Sequence, residues 1–287
     1  VPLPAAFAAP SLTETVPAAP ASSVPATKAA STAGLAPAAG QPKAGSIAGL
    51  APAVTTTVPE GPPPRVMFVG DSVGRYLATQ ADLEHERLGI EVVNAAVDFC
   101  PLSYTPLRRR ISASDVPMAF ADGCADAVNN LGATVVAAQP DVVVMIWGMS
   151  FWAENEIAPD QWYAPCSVEF DSWFQDQIVR TAQVLSSTGA TVFWVTQGYH
   201  RGYSDDYFDD HIDCVNARAR EVVAQSNGAI RLIELGPWVC PTRECLIERD
   251  GIVLRPDGSH FVDQSASLAN IWMLSQMFSP APWALTP

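Results

Sequence analysis

Positive charge is scarce in this sequence. Lys and Arg number 16 against 30 Asp and Glu in 287 residues, which leaves a formal net charge of −14 at pH 7. Phosphate backbones and anionic lipid surfaces repel so acidic a chain, so nucleic acid is excluded as a partner. No apolar run reaches the ~18 residues needed to cross a bilayer. Because the first residue is Val, we expect a mature or excised form, with any membrane anchor upstream or removed.

Cysteine pairs with the spacing of a zinc site are also missing. None of the six cysteines stands in a Cys-x-x-Cys motif, which argues against a structural metal. Their even number favours disulfides and an oxidising, extracytoplasmic compartment. They are Cys100, Cys124, Cys166, Cys214, Cys240 and Cys245.

Residues 1–60 lack the periodicity of helices and strands. They consist almost entirely of Ala, Pro, Ser, Thr, Val and Gly, with almost no aromatic residues. Such a segment buries too little apolar surface to offset its chain entropy, and its prolines favour extended conformations. We therefore predict a disordered Ala/Pro/Thr-rich linker over 1–60 and one folded domain over 65–287.

Apolar, β-branched runs alternate with helical patterns in the second part. Continuous apolar strands that alternate with helices predict a parallel sheet covered on both faces. Five strands favour the flavodoxin-like order 2-1-3-4-5, in a three-layer α/β/α sandwich. The predicted strands are 65–70, 90–96, 141–148, 191–197 and 230–235, and the predicted helices are 73–89, 170–189, 209–226 and 263–278.

The first strand runs directly into Gly70-Asp71-Ser72. In a parallel sheet, ligands bind beyond the carboxyl ends of the strands, where Ser72 would lie. Asp71 or Ser72 would serve equally well as an ordinary cap of the following helix. Alternatively, Ser72 is a nucleophile at the positive end of that helix.

A nucleophilic serine needs a base, and the sequence contains four histidines. His260 follows Asp257 by three residues, just before the last helix. At that spacing, the aspartate can orient the imidazole while the other ring nitrogen faces Ser72. The same segment, "RPDGSHF", is also typical of a Pro-Asp-Gly turn with a bystander histidine.

These two segments resemble the SGNH/GDSL hydrolases, whose first block is Gly-Asp-Ser and whose last is Asp-x-x-His. The resemblance covers about 65–280 and is strongest to SGNH domains attached to membrane acyltransferase-3 modules. The additional matching segments are "DFCPLS" at 98–103, "PDVVVMIWG" at 140–148 and "GPWVCP" at 236–241.

The resemblance implies an extracytoplasmic Ser-His-Asp O-acyltransferase or esterase. Its substrates would be acyl esters of cell-surface glycans or glycolipids, with acetyl as the expected acyl group. Ser72, His260 and Asp257 would form the triad, with no metal or organic cofactor. A transmembrane acyltransferase module would lie upstream, and 1–60 would be the spacer. The alternatives are a free-standing secreted esterase and a degenerate domain that binds glycan without catalysis.

The oxyanion site departs from the family pattern. The second sequence block of the family would supply a glycine, but residues 97–100 read Val-Asp-Phe-Cys. The third block would supply an asparagine, but residues 148–151 read Gly-Met-Ser-Phe. Donors from Asp98, Gly148 and Ser150 or Trp152 would take their place. Trp152 and Trp162 are also candidates for a sugar platform.

The predicted topology narrows the 15 possible pairings of six cysteines. Cys100 and Cys124 flank the connection after the second strand, and Cys240 and Cys245 bracket a short turn. The two remaining cysteines lie in neighbouring connections. We therefore predict the pairs Cys100–Cys124, Cys240–Cys245 and Cys166–Cys214.

Overall fold

A computed structural model describes residues 61–104, 108–110, 117–119, 123–147, 153–201 and 206–278. None of the helices in these ranges is long and apolar enough to span a membrane. The elements, in chain order, are β1 Arg65–Gly70, α1 Ser72–Leu83, α2 His85–Leu88, β2 Glu91–Asn94, β3 Arg108–Arg110, β4 Met118–Ala119, α3 Cys124–Asn129, α4 Leu131–Ala138, β5 Val142–Ile146, β6 Glu154–Ala158, β7 Gln161–Tyr163, α5 Val168–Leu185, β8 Thr191–Val195, α6 Asp206–Gln225, β9 Ile230–Ile233, α7 Leu235–Val239, β10 Glu248–Arg249, β11 Ile252–Val253 and α8 Asp263–Met277.

Five strands form a parallel sheet in the order β2-β1-β5-β8-β9. This is the predicted 2-1-3-4-5 order, and the predicted fold class is confirmed. In the central pairings, Val66 lies opposite Val142 and Val144 opposite Phe193. All carboxyl ends of these strands therefore meet at one edge.

The sheet is covered on both faces, which explains its unbroken apolar strands. Every residue of β5 is buried. One core cluster packs α1, α7 and α8 on one face, and a second packs α4, α5 and α6 on the other. Burial on both faces removes the polar alternation that a half-exposed strand would show.

The predicted helix over 73–89 is two helices, α1 and α2. Glu84 leaves the helical conformation, with φ −113° and ψ 11°, and Gly89 ends α2 in the left-handed region at φ 64°. The Glu84 side chain accepts hydrogen bonds from Gln80 and Ser267, which ties the break to α8. An apolar periodicity alone does not reveal such a break.

Two small antiparallel sheets were not predicted from the sequence. One has the order β4-β3-β6-β7 and the other pairs β10 with β11. Arg108 pairs with Glu156 and Arg110 with Glu154 across β3 and β6. These strands have two to five residues, and β3 and β6 contain charged residues, so they lack the continuous apolar runs that identified the central sheet.

The three predicted disulfides are confirmed. Cys100 pairs with Cys124, Cys166 with Cys214, and Cys240 with Cys245. The first holds the connection after β2 against α3 and is buried. It therefore anchors the backbone beside the carboxyl edge of the sheet.

Replacing both Cys100 and Cys124 with Ser is expected to lower the free energy of unfolding by about 3 kcal/mol. The bridge closes a loop with a sequence separation of 24, and a loop of that size restricts the unfolded chain by about this amount. The same change at Cys240 and Cys245, with a separation of 5, should cost only about 2 kcal/mol. Urea titrations compare the two variants. Equal losses would contradict the loop-length argument.

Candidate active site

The turn after β1 requires glycine. Gly70 has φ +148°, and a Cβ placed there would lie 1.6 Å from the carbonyl oxygen of Ile146, at the end of β5. The next N–H, from Asp71, donates to that same carbonyl at 3.1 Å. The chain therefore crosses directly over the end of β5 before α1 begins.

Asp71, not Ser72, caps helix α1. Its buried carboxylate accepts a hydrogen bond from the Val73 N–H at 3.0 Å. Ser72 is the first residue of the helix, where a backbone N–H has no acceptor within the helix. The Ser72 side chain is thus left for another partner, at the positive end of the helix dipole.

That partner is His260. Its Nε2 lies 2.8 Å from Ser72 Oγ, and its Nδ1 lies 2.6 Å from Asp257 Oδ2. Both distances allow hydrogen bonds, and a base that contacts a serine hydroxyl while a carboxylate orients it is the arrangement that activates a nucleophile. The structure brings Ser72, His260 and Asp257 together in this order.

The loop before α8 holds the histidine in place. Asp257 Oδ1 accepts the backbone N–H groups of Ser259 at 2.9 Å and His260 at 2.8 Å, while Oδ2 faces the imidazole. Gly258 supplies a left-handed conformation, with φ +86°. The Pro-Asp-Gly turn is therefore real, and it is also the device that orients the imidazole.

Asp257 stays ionised far below neutral pH. Burial alone would raise its pKa, but hydrogen bonds from the His260 side chain and from the His260 and Ser259 backbones lower the pKa to about 2. An ionised carboxylate accepts a hydrogen bond from Nδ1–H and leaves Nε2 with its lone pair toward Ser72.

Asp98 lies near the start of α1 but is paired. Its Oδ1 accepts from Arg75 Nε at 2.5 Å. Its backbone forms a turn in which the Cys100 N–H donates to the Val97 carbonyl at 3.2 Å. Among the described residues, the N–H groups of Asp98 and Phe99 have no acceptor. Gly148, Ser150 and Trp152 lie outside the described residues.

The other three histidines occupy different places. His85 Nδ1 lies 2.7 Å from the carbonyl of Asp82, in an exposed position. His211 is buried in α6. Burial lowers the pKa of His200, and the nearby charge of Arg255 lowers it further. His260, by contrast, contacts the Ser72 hydroxyl through Nε2.

Tyr76 is a site residue that the sequence analysis missed. Its ring centroid lies 4.8 Å from that of His260. Tyr76 follows Ser72 by four residues, which places both side chains on one face of α1. That helical spacing was the available signal. Trp162, by contrast, lies beside the β3 arginines, with Arg110 Cζ 4.4 Å from its ring centroid.

A small cavity of about 30 Å³ adjoins the site. Val73, Ser259, His200 and Arg255 are among its lining residues. This volume accommodates water but not a substrate, since ligand pockets measure roughly 300–1,000 Å³.

Residues 43–269, well over half of the chain, match the family model described as an SGNH domain fused to AT3 domains. The chain belongs to the SGNH domain family. The family match supports an acyltransferase or a carboxylic-ester hydrolase.

Solved structures resemble the SGNH domain in fold. A putative acylhydrolase from Bacteroides fragilis has a TM-score of 0.51 and 12% identity, over 76% of this chain and 88% of its own. The periplasmic domain of a lipopolysaccharide acetyltransferase from Salmonella ser. Paratyphi A has a TM-score of 0.46 and 11% identity, over 77% and 85%. An acetylxylan esterase from Geobacillus stearothermophilus has a TM-score of 0.45 and 13% identity, over 76% of this chain and 95% of its own. No curated protein matches the sequence significantly.

Proposed function

We propose that this SGNH domain transfers acyl groups, chiefly acetyl groups, to or from hydroxyls of cell-surface glycans or glycolipids. The observation that carries the proposal is the continuous hydrogen-bonded series from Asp257 through His260 to Ser72. A domain that only bound glycan would not need a serine hydroxyl 2.8 Å from an oriented imidazole.

The series supports a two-step acyl transfer. Ser72 Oγ attacks the acyl carbonyl carbon while His260 Nε2 takes the hydroxyl proton. The tetrahedral intermediate collapses, the alkoxide of the donor leaves with that proton, and Ser72 carries the acyl group. In the second step His260 deprotonates a sugar hydroxyl, or water in hydrolysis, and Ser72 is regenerated. This route requires no metal or organic cofactor.

The oxyanion of each intermediate would form at the positive end of α1. The Ser72 N–H is the first donor, since the Asp71 cap engages Val73 instead. The N–H groups of Asp98 and Phe99 lie on the neighbouring turn and supply a second source. We assign further donors to Gly148, Ser150 and Trp152, as the sequence predicts; a missing donor would cost about 10²–10³ in rate.

The family description supports a membrane partner and an extracytoplasmic location. An SGNH domain fused to AT3 domains would lie on the outer face of the cytoplasmic membrane and receive acyl groups from that transmembrane module. Three disulfides favour an oxidising compartment. The glycan acceptor is a substrate at that surface.

Product analysis tests this proposal. The domain is incubated with 4-nitrophenyl acetate, with and without candidate sugars, and the products are identified by mass spectrometry. Acetylated sugar supports transfer; free acetate alone supports the free-standing esterase. Absence of turnover, with and without sugars, would support the degenerate glycan-binding domain and contradict the proposal.

We also propose that residues 1–60 serve as a linker to the membrane module. Their deletion is expected to change neither the melting temperature nor ester hydrolysis, because the composition provides no core contacts. Limited proteolysis of the full chain should cut this segment first. A lower melting temperature of the truncated chain, or protection of 1–60 from protease, would contradict the assignment.

A further inference from the structure

Two exposed aromatic side chains lie on segments that adjoin Ser72, Tyr76 in α1 and Phe99 in the turn after β2. Tyr76 is 39% exposed and Phe99 is 52% exposed. Tyr76 contacts the imidazole of His260, at 4.8 Å between ring centroids. Exposed aromatic surface near a reactive hydroxyl provides an apolar face that a ligand can cover.

The backbone holds Phe99 at the same edge. The chain after β2 continues along β1, where the Val97 N–H donates to the Gly70 carbonyl at 2.9 Å. Phe99 has φ 52°, a left-handed conformation that is unfavourable for a bulky residue. The neighbouring Cys100–Cys124 bridge constrains this turn. Strain of this kind is found where a side chain is held for a function.

Arg75 and Asp98, the sequence neighbours of the two aromatic residues, form a polar pair. Arg75 joins Asp98 through one nitrogen and one oxygen at 2.5 Å, and its Cζ lies 5.2 Å from the centroid of Tyr76. Both side chains are about two-fifths exposed. Among the described residues, the Arg75 Nη groups and Asp98 Oδ2 have no hydrogen-bond partner. They are therefore available to donate to and accept from hydroxyl groups.

We infer that Tyr76, Phe99 and the Arg75–Asp98 pair bind the pyranose ring of the acyl acceptor. A pyranose has an apolar C–H face, which an aromatic ring covers, and a rim of hydroxyls, which a guanidinium and a carboxylate hydrogen-bond. Sites of this composition, aromatic walls with a few fixed polar groups, are typical of small-ligand binding. The assignment of an acceptor, rather than a bound glycan only, rests on the proposed function.

The test measures sugar binding in the absence of chemistry. Saturation-transfer NMR of the Ser72→Ala chain is recorded with xylohexaose, cellohexaose, maltohexaose and chitotetraose, and Kd is obtained by titration. At least one sugar should bind, and Tyr76→Ala or Phe99→Ala should weaken it by about fivefold or more, the effect of losing one aromatic contact. Tyr76→Phe should retain most of the affinity.

The matched control is Leu83→Ala, which removes a 75% exposed apolar side chain at the far end of α1. It should leave Kd unchanged. Three results would each overturn the inference. They are no saturation-transfer signal from any of the sugars, a Kd of the Tyr76→Ala and Phe99→Ala variants equal to that of the parent Ser72→Ala chain, and a saturation-transfer signal from added decanoate but not from the sugars. Because Ser72 is absent throughout, a failure of the proposed catalysis leaves these binding results intact, and the two failures are distinguishable.

Discussion

Ester hydrolysis by the Ser72→Ala variant is expected to fall by about 10⁴-fold or more, since removal of a nucleophile leaves only the catalysis that binding and oxyanion donors provide. Ser72 Oγ is the atom that faces His260 Nε2, and the methyl group of alanine provides neither a nucleophile nor a proton. The fold should survive, because the helix cap is Asp71 and the lost hydrogen bond is worth about 1 kcal/mol.

Two measurements check this expectation. Hydrolysis of 4-nitrophenyl acetate gives kcat/KM, and a fluorophosphonate probe followed by peptide mapping identifies the labelled residue. The matched control is Ser275→Ala, a serine in α8 that donates to the carbonyl of Trp272 away from the site. Wild-type rates in Ser72→Ala, or labelling of another serine, would remove Ser72 from the mechanism.

The Asp257→Asn variant is expected to lose about 10⁴ in kcat, although its geometry is nearly unchanged. An amide group in that position donates a hydrogen bond toward Nδ1 of His260, where the carboxylate accepts one. The imidazole then carries its proton on Nε2, and it can no longer take the proton of Ser72. His260→Ala should lose at least as much, because it removes the base itself.

Non-additivity distinguishes a triad from three separate contributions. Combining Asp257→Asn with Ser72→Ala should lower the rate little further than Ser72→Ala alone. Asp82→Asn, in α1, is the matched control for the carboxylate-to-amide change. Loss of activity on replacing His200 or His211, together with an active His260→Ala variant, would show that the base has been misassigned.

The depressed pKa of Asp257 also makes a prediction about pH. Since its folded pKa is about 2, below the ordinary value, its interaction with His260 is fully present above about pH 4 and is lost as pH falls through about 2. The pH profile of kcat/KM should therefore show no inflection from Asp257 between about pH 4 and pH 8. A carboxylate titration in that range that disappears in Asp257→Asn would contradict this geometry.

The amino-acid sequence by itself determined the main sheet and where its reactive side chains lie. The runs at 65–70 and 141–148 are apolar and β-branched without polar alternation, which local pattern alone assigns to buried parallel strands. Since the carboxyl ends of such strands share one edge, Ser72 and His260 could be placed together although 188 positions separate them. The same order of strands indicated which cysteines are neighbours.

Tertiary structure alone decided the surroundings of that site. From the local sequence, Asp71 and Ser72 were equally good candidates for the helix cap. In the structure Asp71 is the cap, and the Ser72 hydroxyl contacts His260, which comes from the far end of the chain. Asp98 was predicted as part of the oxyanion site, and the structure adds its pairing with Arg75, which no local pattern indicates. The pairing of β3 with β6 joins charged segments that are distant in sequence, since Arg108 and Glu156 are 48 positions apart. Such contacts are set by which surfaces the packed core brings within hydrogen-bonding distance, and periodicity carries no information about them.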